Sequence, residues 1–191
     1  MAVRCGVVGE NLGLVDEIER FVGEVRGSQE LAERVLATVL FTDIVESTQK
    51  AAALDDTAWK AIIARHDELA RREVKRHRGR YIDTTGDGMF ATFDGPARAV
   101  RCAQAIAEAT RPLGLEVRAG CHTGEVELAG DDVRGLAVRI GARVAALADA
   151  SELWASSTVK DLTAGSGIVF EDAGEHELKG MPDRWHLYRV S

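Results

Sequence analysis

The feature that most constrains the fold is an apolar run at residues 36–45, Leu-Ala-Thr-Val-Leu-Phe-Thr-Asp-Ile-Val. Apolar or small side chains fall on both alternations of this run, which is typical of a strand buried on both faces in the middle of a sheet. The sequence therefore predicts a central strand here, with the carboxylate of Asp43 near its end.

A second strand signal lies at residues 80–93, where two β-prone runs meet at Asp87-Gly88. Asp-Gly favours a type I′ hairpin turn, because both central residues of that turn need φ > 0. The pattern predicts a hairpin with the carboxylate of Asp87 at its tip.

The order of predicted elements from residue 36 to residue 126 is strand, helix, hairpin, helix, strand. The first helix begins at a cap formed by Asp55 or Asp56, and the second follows Asp94-Gly95-Pro96. This β-α-β-β-α-β order is that of the ferredoxin-like split unit, in which the first strand and the hairpin are neighbours. The predicted fold class is therefore α+β, with a ferredoxin-like βαββαβ core and additional C-terminal strands and helices.

The remaining segments are assigned from their periodicity. Residues 46–49 are expected to open a polar turn, and residues 127–130 to extend the strand at 115–126 as a protruding arm. The C-terminal elements are expected at residues 135–148 (helix), 151–156 (strand), 157–162 (short helix), and 168–170 and 185–190 (strands). Residues 1–34 differ from the rest in their residue pattern and are predicted to be an N-terminal helical or linker segment. This segment is either a helix that packs on the domain or on its symmetry mate, or the end of a preceding domain. Residues 35–191 form the main domain.

Charge and cysteine content narrow the classes of partner. The formal net charge is −7 and basic residues form no long patch, so nucleic acid is not expected as a partner. Three widely spaced cysteines fit neither a disulfide framework nor a zinc site and suggest a reducing, cytoplasmic compartment. No window is apolar enough for a membrane span, so no membrane contact is expected.

Two aspartates that end neighbouring strands make a hard-oxygen site. Asp43 and Asp87 can converge in the split unit, and such a pair suits Mg²⁺ and a phosphorylated substrate. Arg139 and Arg143 lie four residues apart and share one helix face. From spacing alone they are either solvated surface residues or an anion clamp.

Five segments, in this order, carry a resemblance to a known family. They are Leu-Phe-Thr-Asp-Ile-Val-Glu-Ser-Thr (40–48), Thr-Thr-Gly-Asp-Gly-Met-Phe-Ala (84–91), Gly-Cys-His-Thr-Gly-Glu (120–125), Asp-Val-Arg-Gly-Leu-Ala-Val-Arg-Ile-Gly-Ala-Arg (132–143) and Glu-Leu-Lys-Gly (177–180). Residues 35–191 thereby resemble the catalytic domain of class III adenylyl and guanylyl cyclases, the nucleotidyl cyclase palm, particularly bacterial members of mycobacterial type. The resemblance implies that a nucleoside triphosphate is converted to a 3′,5′-cyclic nucleotide and pyrophosphate.

The resemblance also implies roles for individual residues. Asp43 and Asp87, with the Ile44 carbonyl, would bind two divalent metal ions, Mg²⁺ or Mn²⁺. Arg143 matches the family's transition-state arginine, and Arg139 stands where an asparagine usually positions the ribose or the attacking oxygen. Lys179 matches a triphosphate-binding lysine, and Thr48 falls at a phosphate-binding position. Because the family shares each site between two domains, the implied active form is a homodimer.

Base recognition is where the sequence departs from the family. Asp132 matches the aspartate that accepts from N6 of adenine, but Asp83 stands where a lysine usually donates to N1. An ionised aspartate only accepts hydrogen bonds, so Asp83 suits N1–H and the amino group of guanine. We expect ATP as substrate, with GTP or mixed specificity as the alternative. Arg139 replaces the usual asparagine, and Glu46 stands at a position where glycine is common. A further alternative is therefore a weakly active or inactive nucleotide-binding regulatory module.

Overall fold

The computed structural model describes residues 33–191. The predicted N-terminal segment, residues 1–34, lies outside this range except for its last two residues. Residues Arg34–Ser191 form one compact unit.

Within residues 33–191, eight strands form one sheet. They are β1 (Glu33–Ile44), β2 (Arg80–Thr85), β3 (Gly88–Phe93), β4 (Val117–Ala129), β5 (Asp132–Arg134), β6 (Leu153–Ser156), β7 (Phe170–Glu177) and β8 (Arg184–Val190). Their order is β2-β3-β1-β4-β6-β8-β7, with β5 paired to β4. The first four strands in that order have the ferredoxin-like arrangement, with β1 and β3 antiparallel. The predicted fold class is confirmed.

In the described part of the chain, five α-helices connect the strands: α1 (Ser47–Ala53), α2 (Asp56–Arg76), α3 (Pro96–Thr110), α4 (Leu136–Leu147) and α5 (Ser157–Leu162). Asp55 is the N-cap of α2, where its Oδ1 accepts from the backbone N–H groups of Thr57 and Ala58. Pro96 opens α3 at the position where its missing N–H costs nothing. No helix within residues 33–191 is long and apolar enough to cross a membrane.

The central strand β1 is covered on both faces, as the sequence predicts. Leu40 packs on one face with Val74 of α2 and Ile106 of α3. On the other face, α4 comes so close that a Cβ on Gly141 would lie 2.5 Å from Cγ2 of Val39. Val39 and Leu40 are both fully buried.

Three local predictions are wrong. Residues 47–53 form the short helix α1 where a polar turn is expected, because Glu46 turns the chain with φ 57° and ψ 29°. Strand β7 covers Phe170–Glu177, whereas a strand at 168–170 is expected. The hairpin turn contains Gly86 and Asp87, since Thr85 pairs with Gly88, and the positive φ of 76° belongs to Gly86. A glycine at the first loop position is the pattern of a type II′ turn, not type I′.

Candidate functional site

The two aspartates lie at the same edge of the sheet. In the antiparallel pair of β1 and β3, Thr42 stands opposite Met89. Continuing this register places Asp43 opposite Gly88 and Ile44 opposite Asp87. Opposed Cα atoms in such pairs are about 4.5–5.5 Å apart. The two aspartates therefore end neighbouring strands at one edge of the sheet, although in this structure their carboxylates line different clefts, Asp43 beside the helix that carries Ala142 and Asp87 beside α2.

Asp43 is engaged by an arginine that the sequence analysis does not identify. Arg118 of β4 donates from Nε at 3.0 Å and from Nη2 at 2.5 Å, and both bonds reach Oδ2 of Asp43. Each side chain is about one third exposed, at 34% for Arg118 and 33% for Asp43. They border a cleft of about 210 Å³ that is otherwise lined by Phe41, Thr42, Ala142, Ala145 and Ala146. The sequence feature that could have identified Arg118 is a charged residue between two apolar residues of a predicted strand.

Asp87 borders a larger cleft, of about 750 Å³. Thr48, at the start of α1, lines the same cleft, and its side chain is exposed. The other lining residues are Ser47, Ala51, Trp59, Lys60, Ile63, Ala64, Asp67 and Gly86. The hairpin tip and α1 thus face a common opening that is large enough for a polyphosphate chain.

A β-bulge decides the pairing of Asp83. Tyr81 pairs with Ala91, whereas Asp83 pairs with Phe90, so the register shifts between them. Tyr81 faces α2 and donates to Oδ1 of Asp67 at 2.6 Å; burial, followed by this hydrogen bond, raises the pKa of Tyr81. Without the bulge, strand alternation would place Asp83 on the same face. With the bulge, Asp83 instead stands opposite Phe90, and its carboxylate lies close enough to Arg71 of α2 and to Tyr81 for its charge to act on both.

Asp132 lies on the arm formed by β4 and β5, where it stands opposite Ala129. Its Oδ2 accepts from Nε of Arg134 at 2.5 Å. The tip of the arm is tied to β2, because Nη2 of Arg80 donates to the carbonyl of Gly130 at 3.0 Å and to Oδ1 of Asp131 at 2.9 Å. The predicted arm therefore exists and is held against the strand that carries Asp83.

The remaining predicted residues lie elsewhere on the chain. Arg139 and Arg143 are exposed on α4. Lys179 is exposed in the connection between β7 and β8 and lines a separate cleft of about 570 Å³. That cleft is lined by Glu177–Met181, Asp183 and Arg184, and neither Asp43 nor Asp87 borders it. One chain thus brings the two aspartates to the ends of neighbouring strands, whereas Lys179 borders a third cleft.

The donor set near the aspartates fits a metal that arrives with phosphate. Within residues 33–191, no three His, Cys, Asp or Glu side chains converge as a metal site. Mg²⁺ is commonly held by one or two carboxylates, with substrate phosphates and water completing its shell. Asp43, Asp87 and the backbone carbonyl of Ile44 are oxygen ligands of that kind at adjoining strand ends, and Arg118 engages only one oxygen of Asp43.

Comparison with known proteins identifies the family of the domain. Residues 30–191 match the family model described as "Adenylate and Guanylate cyclase catalytic domain". "Putative adenylate cyclase 3" of Rhizobium meliloti (strain 1021) is 30% identical over 173 residues, which cover 86% of this chain and 30% of that protein. "Uncharacterized protein Rv0891c" of Mycobacterium tuberculosis is 29% identical over 153 residues, which cover 76% of this chain and 52% of that protein. The chain thus spans between 30% and 52% of the length of these two relatives.

Solved structures of both specificities share the fold. The adenylyl cyclase CyaB from P. aeruginosa superposes with a TM-score of 0.78 at 21% identity, covering 84% of this chain and 95% of that chain. The guanylate cyclase domain of RhGC from Catenaria anguillulae, in complex with GTP, has a TM-score of 0.75 at 20% identity, covering 84% and 98%. At these identities the likeness establishes the fold and leaves the choice of base open.

Proposed function

Because the chain belongs to the family of class III adenylate and guanylate cyclase catalytic domains, we propose that it converts ATP to 3′,5′-cyclic AMP and pyrophosphate as a homodimer. The observation that carries the proposal is the pairing register that brings Asp43 and Asp87 to one edge of the sheet. In the reaction, the ribose 3′-oxygen forms a bond to the α-phosphorus and loses its proton, while the bond from the α-phosphorus to the β-phosphate oxygen breaks. Two divalent ions, Mg²⁺ or Mn²⁺, supply charge neutralisation and a more acidic 3′-hydroxyl when bound.

The first half of the site consists of the strand ends and the start of α1. Asp43, Asp87 and the Ile44 carbonyl hold the metals, and Thr48 binds the phosphates from the cleft that it shares with Asp87. Asp43 would hold a metal in exchange for its ion pair with Arg118, and the Arg118 guanidinium would then be available to a phosphate oxygen. Every charge keeps an opposite partner in that exchange, which limits its cost.

The second half of the site comes from the partner subunit in this proposal. Arg143 stabilises the charge that develops at the α-phosphate, Arg139 lies beside the ribose, and Lys179 binds the triphosphate. The separation of Lys179 from both aspartates in one chain supports a shared site. A cytoplasmic site of action fits, since Cys102 and Cys121 are free, buried thiols.

ATP is the proposed substrate because Asp132 can accept from the N6 amino group of adenine. The name of the Rhizobium meliloti relative supports the same choice. GTP is the alternative, and the exposed carboxylate of Asp83 supports it, because it can accept from N1–H of guanine.

The test is cyclic nucleotide production from ATP and from GTP with Mg²⁺ or Mn²⁺, with Asp43→Ala as the inactive control. Dimers are verified by sedimentation at the assay concentration. Mixing Asp43→Ala chains with Arg143→Ala chains should restore activity, because half of each heterodimer's sites are intact. No product from either nucleotide would refute the cyclase assignment, and failed complementation between verified dimers would refute the shared site.

A second candidate is a nucleotide-binding regulatory module without turnover. Glu46 supports it, because this carboxylate occupies a left-handed backbone position just before Ser47 and Thr48, where it repels phosphate. Nucleotide binding measured by calorimetry, without cyclic product, would favour this candidate.

A further inference from the structure

Reading adenine requires an acceptor for the N6 amino group and a donor for N1. Asp132 and Asp83 are both acceptors when ionised, so neither supplies the donor. The described residues nevertheless hold a donor beside Asp132, because Arg134 is two residues further along the same strand.

Strand β5 places these two side chains together. Asp132 and Arg134 are exposed on one face, while Val133 between them is 4% exposed and packs in the core with Val39 and Phe90. Nε of Arg134 donates to Oδ2 of Asp132 at 2.5 Å. That bond uses one of the five N–H donors of a guanidinium and one of the two oxygens of a carboxylate. The pair therefore presents a free acceptor next to free donors.

The ion pair has little to contribute to the fold. Its side chains are 70% and 50% exposed, and exposed pairs of this kind add little to stability. The arm itself is fixed by other contacts, namely the burial of Val133 and the bonds from Arg80 to Gly130 and Asp131. The Asp132–Arg134 pair therefore lies on a strand that is held in place without it. We explain the presence of this donor and acceptor by binding of a ligand.

We propose that Arg134 is a specificity-determining residue that donates to N1 of adenine while Asp132 accepts from N6. The proposal rests on the proposed function and supplies the donor that Asp83 cannot provide. Guanine presents the opposite order, with an acceptor at O6 and a donor at N1. With the arm held in place, Asp132 would meet O6 and Arg134 would meet N1–H, so both contacts would be repulsive.

The experiment measures binding of 3′-deoxy-ATP and 3′-deoxy-GTP, which lack the attacking oxygen and cannot be cyclised. Equilibrium dialysis with Mg²⁺ present gives the dissociation constants for the wild-type dimer and for Arg134→Ala, Arg134→Lys and Arg65→Ala. Arg65 is the matched control, because it also forms an exposed ion pair at 2.5 Å, with Glu68 on α2. Steady-state kcat/KM for ATP and GTP is measured on the same proteins.

Arg134→Ala is expected to weaken 3′-deoxy-ATP binding about tenfold to a hundredfold, the range for a hydrogen bond to a charged group. Binding of 3′-deoxy-GTP should weaken less than about twofold, Arg134→Lys should recover part of the loss, and Arg65→Ala should match wild type. Equal losses for both nucleotides, an unchanged ratio, or no measurable binding to wild type would each overturn the inference. Binding that follows the expected pattern without cyclic product would refute the proposed function and leave this inference standing.

Discussion

Replacing Glu46 by glycine should stabilise the protein, because Glu46 is held in the left-handed region at φ 57° and ψ 29°. An L-residue in that region carries a cost of about 1–2 kcal/mol, which glycine does not have. Glycine loses roughly 0.5–1 kcal/mol more backbone entropy on folding than alanine does. The Glu46 side chain is exposed and does not cap α1, so no described contact offsets the gain. The net expectation is a gain of about 0.5–1 kcal/mol.

Urea unfolding and thermal melting measure this gain, and about 1 kcal/mol corresponds to a rise of roughly 2–4 °C in Tm for a chain of this size. Glu46→Ala is the control, since it removes the same carboxylate but retains a Cβ in the left-handed region. Glu46→Ala should leave stability within about 0.5 kcal/mol of wild type. If both variants were equally stabilised, charge and not backbone strain would be the cause, and destabilisation by Glu46→Gly would refute the reasoning outright.

Glu46→Gly and Glu46→Ala also show whether backbone strain or the negative charge of Glu46 limits nucleotide affinity. Both remove a carboxylate that precedes the phosphate-binding side chain of Thr48 in the proposed site. Both should therefore tighten ATP binding to a similar extent, by about twofold to fivefold for the loss of one exposed repulsive charge. Tighter binding by Glu46→Gly alone would show that backbone geometry, not charge, limits affinity.

Three further changes test other parts of the structure. Asp83→Lys should raise the ratio of kcat/KM for ATP over GTP. The rise should be larger in an Arg134→Ala background, because the lysine there replaces a lost donor. An unchanged ratio in both backgrounds would mean that the base is recognised by other residues. Burial lowers the pKa of His122 to about 4, whereas an unfolded histidine titrates near 6.5, so the unfolded chain binds more protons between these values. Stability should consequently fall by about 3 kcal/mol as pH drops from 6.5 to 4, relative to His122→Asn, in urea titrations at each pH; parallel pH profiles would contradict this. Gly120→Ala should lower the free energy of unfolding by about 3 kcal/mol, because its Cβ would lie 2.2 Å from the backbone nitrogen of Ala145 in α4. Gly95→Ala is the control: no atom lies within 4 Å of its Cβ, so the loss should be less than about 1 kcal/mol.

The elements that the sequence predicts correctly are those governed by hydrophobic periodicity. The central strand is recognisable because Val39 and Leu40, on opposite faces, are both apolar, and each is fully buried. Helix α2 begins where Asp55 caps it. Both features depend on residues close together in sequence, so local rules suffice. The neighbouring positions of β1 and the hairpin follow from the order of the elements.

The features that the sequence does not predict depend on distant contacts or on departures from regular geometry. Arg118 reaches Asp43 across a sequence separation of 75 residues, so no local pattern connects them. In the hairpin, Gly86 and Gly88 flank Asp87, and an Asp-Gly signal cannot tell which glycine takes the positive φ. The bulge before Asp83 adds one residue to β2 and shifts the register that simple alternation assigns.

Three departures from regular geometry lie near residues of the proposed site. The left-handed Glu46 precedes Thr48, Gly86 precedes Asp87, and the bulge places Asp83 opposite Phe90. Departures from local rules are expected where side chains are positioned for binding, because packing alone gives no reason to retain them. Glu46, the hairpin turn and the bulge thus belong to one region of the proposed site, in which Asp83 and Arg134 are the positions that we propose decide substrate choice.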